Sequence, residues 1–515
     1  MHLDRMAKYL LWSLVALVAV LGLASIALLS VPAPLERWLQ ARVLLALKQH
    51  YQRDVQLENL RVTLVPVFRL TADNLVLPNR EIGGLPPLLT IKHLTAEAFP
   101  LQLLRKPVHL SWVKLEGLVI NVPPKGERKA SEKSSAKKSR FADFVIDRVD
   151  ADGTQLYVLP KQQGGEPMEW ELRSLTLRRA GIGQPMRFTA ALTNPKPPGI
   201  IQTTGKFGPW NLDEPSETPV AGHYVFQNAD LSVFTGISGI LSSVGDFTGV
   251  LQNIVVDGTT ETPDFKLDSG ARAVHLSTQF HAIVDGTNGN TYLQPVNAQF
   301  LSSKVSATGE VAGKPGQQGK SVSLDVDIQN SRLQDLLDLA VASSQPMVTG
   351  SVHARAKLLV PPGKQRVLDK IKLSGDFQAA DARFSSAKVK DSVASLSRRA
   401  QGRPDDQAIQ NVPAQLSGVF SLEGGKLTFS SLKFDVPGVA ADVKGSYGLR
   451  SEQIDFTGDV RLQAHVSDTM SGSKRVLLKP IDPLFARHGA GSYLPVNITG
   501  DRSQPQVKLD LKKVF

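Results

Sequence analysis

Serine stands three residues before lysine in several places, among them Ser134 and Lys137, Ser385 and Lys388, Ser471 and Lys474. That spacing is the nucleophile–lysine pair of serine β-lactamases and penicillin-binding proteins, enzymes that also need S-D-N and K-T-G elements. Here Ser467-Asp468 runs on to Thr469 and no K-T-G occurs, so chance explains these pairs. Residues 313–321, GKPGQQGKS, approach a phosphate-cradling loop, but Lys314 occupies the position that requires glycine. A strand-like SVSLDVDIQ follows it where a helix is needed. His275 and His281 share one strand face with no carboxylate at ligand spacing between them, and Asp405-Asp406 follows Arg403-Pro404 in a polar loop. The chain has no cysteine, which excludes disulfides, thiolate metal sites and cysteine nucleophiles. The expectation is therefore a protein that is not an enzyme, with no metal and no cofactor.

From Tyr9 to Ser30 the chain carries no charge, and Arg5 and Lys8 precede this run against a single Asp4. A membrane-spanning helix needs about 20 such residues, and the flanking charges put the N-terminus in the cytoplasm. Small residues at Val31-Pro32-Ala33 would suit cleavage, but a signal-peptide core is only about 7–15 residues long. The expected organisation is a cytoplasmic tail at 1–8, an anchor at 9–30 and a body outside the cytoplasm. Residues 124–140 hold seven Lys/Arg and two Glu, nearly half of the formal charge of +11, with no apolar residue larger than alanine. This segment reads as a solvated basic loop with some attraction for anionic headgroups. Nucleic acid is not expected as a partner, since no stacking aromatics interleave with the charges.

The body must position its apolar residues with strands. After an amphipathic helix predicted over 34–49, the apolar period becomes two: Val55, Leu57, Leu60, Val62, Leu64; Val108, Leu110, Val113, Leu115; Leu118, Ile120, Val122; Ile454, Phe456, Val460, Leu462, Ala464, Val466. Asn288-Gly289 and Gly424-Gly425 are hairpin signals. Short helices are predicted on a Ser331–Gln334 capping box with Leu333, Leu336, Leu337, Ala340 and Val341. Two more follow from Val389, Val393, Leu396, Ala400 and from Phe234, Ile237, Leu241, Val244. A bulge at Ser430-Ser431 shifts the apolar positions from odd (Leu427, Phe429) to even (Leu432, Phe434, Val436).

Aromatics are only 6% of the chain, too few for tightly filled sandwiches. The expected fold is mainly β: one N-terminal transmembrane helix, then an elongated, curled antiparallel sheet whose apolar face forms a groove. About 25 strands at roughly 4.8 Å would make a ribbon of about 120 Å. Acyl chains are the ligand that fits such a strip. The candidate lining is Ile454, Phe456, Val460, Leu462, Ala464 and Val466.

Residues 416–462, LSGVFSLEGGKLTFSSLKFDVPGVAADVKGSYGLRSEQIDFTGDVRL, and 471–511, with LLKPIDPLF and GAGSYLPVNITG, resemble the AsmA-like family of envelope proteins. Segments 113–124, 256–270 and 280–300 are similar to the same family. The resemblance implies an inner-membrane anchor through 9–30, a periplasmic body and a groove related to bridge-like lipid-transfer proteins. It divides the body into a groove start at 31–123, a central region at 141–415 and a C-terminal region at 416–515. It also implies phospholipid as partner, a role in outer-membrane homeostasis, and outer-membrane or envelope proteins as further partners. No catalytic residues carry over. The rival expectation is an assembly or scaffolding factor that accepts a strand at the sheet edge.

Overall fold

The computed structural model describes residues 55–510 apart from 64–66, 79–85, 100–107, 123–143, 159–167, 182–183, 210–214, 271, 287, 314–318, 341–347, 364, 407–411, 487–490 and 502–503. The predicted anchor at 9–30, the helix at 34–49 and the basic segment 124–140 lie outside the described residues. Among the described residues no helix is long and apolar enough to cross a membrane. The protein is mainly β, with a few short helices. It divides into two compact units, one of Met1–Asp230, Ser242–Gly258 and Ile283–Gly289, the other of Leu231–Leu241, Thr259–Ala282 and Asn290–Phe515. Position 415/416, the boundary expected from the sequence, falls inside a strand.

The first unit opens with β1 (Gln56–Thr63), β2 (Phe68–Leu77), β3 (Leu89–Ala98), β4 (Val108–Leu110), β5 (Trp112–Glu116), β6 (Val119–Val122) and β7 (Phe144–Val158). β8 (Met168–Gly181), β9 (Met186–Pro195), β10 (Pro198–Phe207) and β11 (Pro219–Asp230) follow. β1, β2 and β3 form an antiparallel meander, and β7 to β11 form another. Between them, β4, β5 and β6 each pair with β7 in parallel. The sheet is therefore mixed, not antiparallel throughout as expected from the sequence. Residues 123–143 join β6 to β7, and a connection of that length is what same-direction pairing requires, since a tight turn returns the chain antiparallel. The first strands close a core in which Ile91, Leu94, Val113 and Leu115 are at most 1% exposed.

Next come β12 (Ile237–Ser238), β13 (Ile240–Val250), β14 (Asn253–Leu267) and β15 (Val274–Val284). Of the stripe Phe234, Ile237, Leu241, Val244, the last three are therefore strand and Phe234 lies in the bend before them, so no helix forms there. Gly236 and Gly239, at φ +106° and +135°, cannot continue a right-handed helix.

The second unit continues as β16 (Thr291–Phe300), β17 (Ser303–Gly313), β18 (Lys320–Arg332), α1 (Leu333–Ala340), β19 (Val348–Val360), α2 (Val367–Lys370), β20 (Lys372–Phe384) and α3 (Ala387–Ala400). It ends with β21 (Ala414–Glu423), β22 (Lys426–Val436), β23 (Val439–Gly448), β24 (Gln453–Leu462), α4 (Ser473–Leu478), α5 (Asp482–Phe485), β25 (Ser492–Asp501) and β26 (Gln504–Leu509). From β16 to β26 every strand pairs antiparallel with the next. Glu423 pairs with Lys426 across Gly424-Gly425, whose φ values of +59° and +74° are those of a two-residue primed turn.

Two helices form where periodicity put them, with different contacts. The Ser331 hydroxyl donates to the Lys304 carbonyl and accepts from the Lys304 N–H, and Gln334 accepts from the Gly350 N–H, so the expected capping box does not form. α3 buries Ala394, Ser397 and Ala400, whereas Val389 and Leu396 of its predicted stripe are exposed. Ala400 joins Ala382, Ala414, Val436, Val439 and Leu462 in a closed core along one margin of the sheet.

Candidate functional site

The register of the second unit's ladder lines up its apolar residues across nine strands. Across β17 to β25 one row runs Gly309, Leu324, Leu358, Leu373, Leu422, Leu427, Tyr447, Ile454, Gly500. The next runs Ala307, Val326, Ala356, Gly375, Phe420, Phe429, Gly445, Phe456, Ile498, and a third Val305, Ile328, Ala354, Phe377, Gly418, Leu432, Val443, Gly458, Val496. None of these positions carries a charge. The intervening row, on the opposite face, reads Thr308, Asp325, Lys357, Ser374, Ser421, Thr428, Ser446, Asp455, Thr499. Strict alternation has thus sorted the sheet into one apolar and one polar face.

Large and small residues compensate along the apolar face. Phe377 stands opposite Gly418, and Phe420 opposite Gly375. Gly445 lies between Phe429 and Phe456, whose ring centroids are 6.0 Å apart. Phe377 links Phe420 and Phe429 at 6.3 and 6.4 Å, so four rings form one string. A Cβ at Gly445 would stand 2.1 Å from the Asp455 carbonyl oxygen. Only glycine allows β23 and β24 to approach so closely there.

Burial separates this face from a finished core. Leu422, Gly418 and Val496 are buried, but the other members of the three rows remain partly exposed. In the first unit's core, by contrast, Ile91 and Val113 are fully covered. The first unit also has a partly exposed apolar face, with Leu177, Phe188 and Gly205 in one row from β8 to β10 and Leu172, Leu192 and Ile201 in another.

The expected lining residues divide into three groups. Ile454, Phe456 and Val460 lie on the apolar face of β24, partly exposed. Leu462 shares that face but is 6% exposed in the core under α3. Ala464 and Val466 are not strand residues. β24 ends at Leu462, and the Ala464 N–H donates to the Ala400 carbonyl of α3, which turns the chain off the sheet. The other residues of the face escaped the sequence reading. Leu324, Val326 and Phe377 alternate visibly in their own strands, but which strands are neighbours, and in what register, is not written in any one strand.

Polar groups make structural contacts. The Ser471 hydroxyl donates to Asp405, not to Lys474, at 2.6 Å. His275 Nε2 meets Glu261 at 2.6 Å across the strands. Among the described residues no three His, Asp or Glu side chains gather as a metal site. His93 lies 2.6 Å from Asp73 and 3.4 Å from Thr95, a triad-like order on an open strand surface; the hydrogen bond from His93, with one from Asn59, holds the Asp73 carboxyl below its usual range. Burial pushes the Asp150 carboxyl up, but hydrogen bonds from Trp112, Arg148 and Thr176 outweigh it and leave the group below the ordinary range.

A depression of about 710 Å³ is lined by Ala307, Val326, Ala356 and Gly375 together with Asp325, Asp327, Arg355 and Lys357. None of the large apolar-face side chains beside that row, such as Leu324, Leu358 or Phe377, lines it, which places it on the polar side. It is a gap between two charged rows and not part of the apolar face. No protein family, curated protein or solved structure matches this chain.

Proposed function

We propose that this chain is an AsmA-like, membrane-anchored periplasmic protein that binds and passes phospholipid along its apolar sheet face. The observation that carries the reading is the register from β17 to β25: three uncharged rows, most of whose members stay partly exposed. Soluble proteins leave apolar strips of this extent where something binds. Acyl chains would lie on the Leu, Val and Phe rows, each buried Å² contributing about 25 cal/mol, while headgroups stay in water. The face offers many similar contacts and no specific polar anchor, which suits movement better than storage. The resemblance of 416–511 to the AsmA-like family and the uncharged run at 9–30 supply the envelope setting. The test is a photoreactive phenylalanine analogue at Phe456, with a second at Asp455 on the opposite face, in the full chain in cells. Phospholipid crosslinked at 456 and not at 455 supports the reading; equal or absent crosslinking at both sinks it.

A second reading has its own observation. Among the described residues β26 pairs only with β25, and all its side chains are exposed. Such an edge can add a polypeptide strand, as an assembly factor for outer-membrane proteins would require. Polypeptide crosslinked at Gln506, with no lipid at 456, would favour it.

A further inference from the structure

The connection from β24 to β25 carries α4 and α5, and these are anchored from beneath. Phe485 is buried, and Leu478 and Ile481 are half-buried. The Asp482 carboxylate accepts the Ser467 N–H at 2.8 Å and the Ser467 hydroxyl at 2.5 Å. Above this base the knob points apolar residues at solvent. Val476 and Leu477 are 73% and 76% exposed, more than any other large apolar residue described, and Leu484 is 44% exposed. Exposed cations Lys474, Arg475 and Lys479 surround them. The only acid from 473 to 486 is Asp482, already engaged with Ser467.

We propose that this knob docks the protein onto an anionic phospholipid surface. Val476 and Leu477 enter the boundary between headgroups and acyl chains, and Lys474 and Lys479 meet the phosphates. Aliphatic residues ringed by cations are the pattern of a segment lying in that boundary. A protein partner fits less well: stable interfaces bury about 800 Å² on each side and centre on aromatic or arginine anchors. The knob offers three aliphatic side chains, and Arg475 is bonded to Asp468 at 2.6 Å. The inference does not rest on lipid occupying the sheet face, which the crosslink at 456 reads separately.

Because the chain has no cysteine, L477C in the full chain takes a single environment-sensitive dye. With phosphatidylcholine vesicles containing phosphatidylglycerol, the dye is expected to shift to the blue, and to shift little with phosphatidylcholine alone. K474Q/K479Q is expected to weaken the response to anionic vesicles about 30-fold, at about a fivefold loss per cation. Its thermal unfolding should not change, since both side chains are exposed. No shift with anionic vesicles overturns the proposal. So does a shift of equal size with neutral vesicles that K474Q/K479Q leaves intact, and so does a shift that appears without vesicles as protein concentration rises, which would mark a contact between copies.

Discussion

Replacing Phe456 with glutamate puts a carboxylate in the middle of the apolar rows and tests the lipid reading directly. An acyl chain reaches half of a hydrocarbon core of about 30 Å, so about 15 Å. At about 4.8 Å per strand, it lies across about three strands. A chain crossing β23 and β24 therefore takes roughly a third of its contact from the Phe456 position. Losing that share costs about 1 kcal/mol on the scale of 1.5–3 kcal/mol for a fully buried aromatic. Covering an unpaired carboxylate costs several kcal/mol more. The sum is a loss of at least about 100-fold in occupancy of that stretch, since 1.4 kcal/mol is tenfold. Folding should survive: Phe456 is partly exposed and bordered by Gly445 and Gly458, so truncation costs about half of the 3–5 kcal/mol of a buried phenylalanine. The assay is phospholipid per chain by mass spectrometry, for the full-length wild type, F456E, F456L and D455K prepared in parallel. Retention should fall in F456E and persist in F456L and D455K. A folded F456E that keeps its lipid, or a D455K that loses it, would refute the assignment of this face.

Leu462→Arg should behave differently although it lies on the same strand face: Leu462 sits in the closed core under α3, so burying the charge should cost about 3–5 kcal/mol and appear in denaturant unfolding as lost stability before any specific loss of lipid. Gly445→Ala should destabilise by about 1–3 kcal/mol through its clash with the Asp455 carbonyl, read as a lower unfolding midpoint; an unchanged midpoint would contradict the close approach of β23 and β24. Asp150→Asn weakens charged hydrogen bonds from Arg148 and Trp112 and should cost about 1–3 kcal/mol at neutral pH. Because the folded carboxyl titrates below its unfolded value, its contribution is present above about pH 4 and is lost as pH falls through the folded value. The wild type should therefore lose stability over that acid range more steeply than D150N; parallel slopes would exclude Asp150 as a source.

Local chemistry was legible in the sequence wherever it acts locally. The Gly424-Gly425 turn, the helices α1 and α3, and the bulge at Ser430-Ser431 are set by residues within a few positions of one another. The register between β22 and β23 slips between Phe429 and Leu432, where the change of parity put the bulge. The failures arose where distant partners decided. Ser331 satisfied its hydroxyl on Lys304 and left the cap open. The parallel pairing of β4, β5 and β6 with β7 depends on how a connection returns. The residues expected to line the groove at 454–466 divide between face, core and turn for the same reason: alternation identifies a face but cannot tell that α3 ends the strand at Leu462 and diverts Ala464.

Among the described residues, each strand from β17 to β25 has as its ladder partners the strands just before and after it in the chain. Such a ladder has no element that must wait for a distant partner, so it can zip up in order as the chain emerges, with loop-closure costs kept small. It also makes length an adjustable quantity. Inserting or deleting one hairpin would change the row of apolar positions by two strand widths, about 9.6 Å, and leave the registers on either side untouched. A gene encoding this architecture could be tailored to a different spacing by duplication, without redesigning a core.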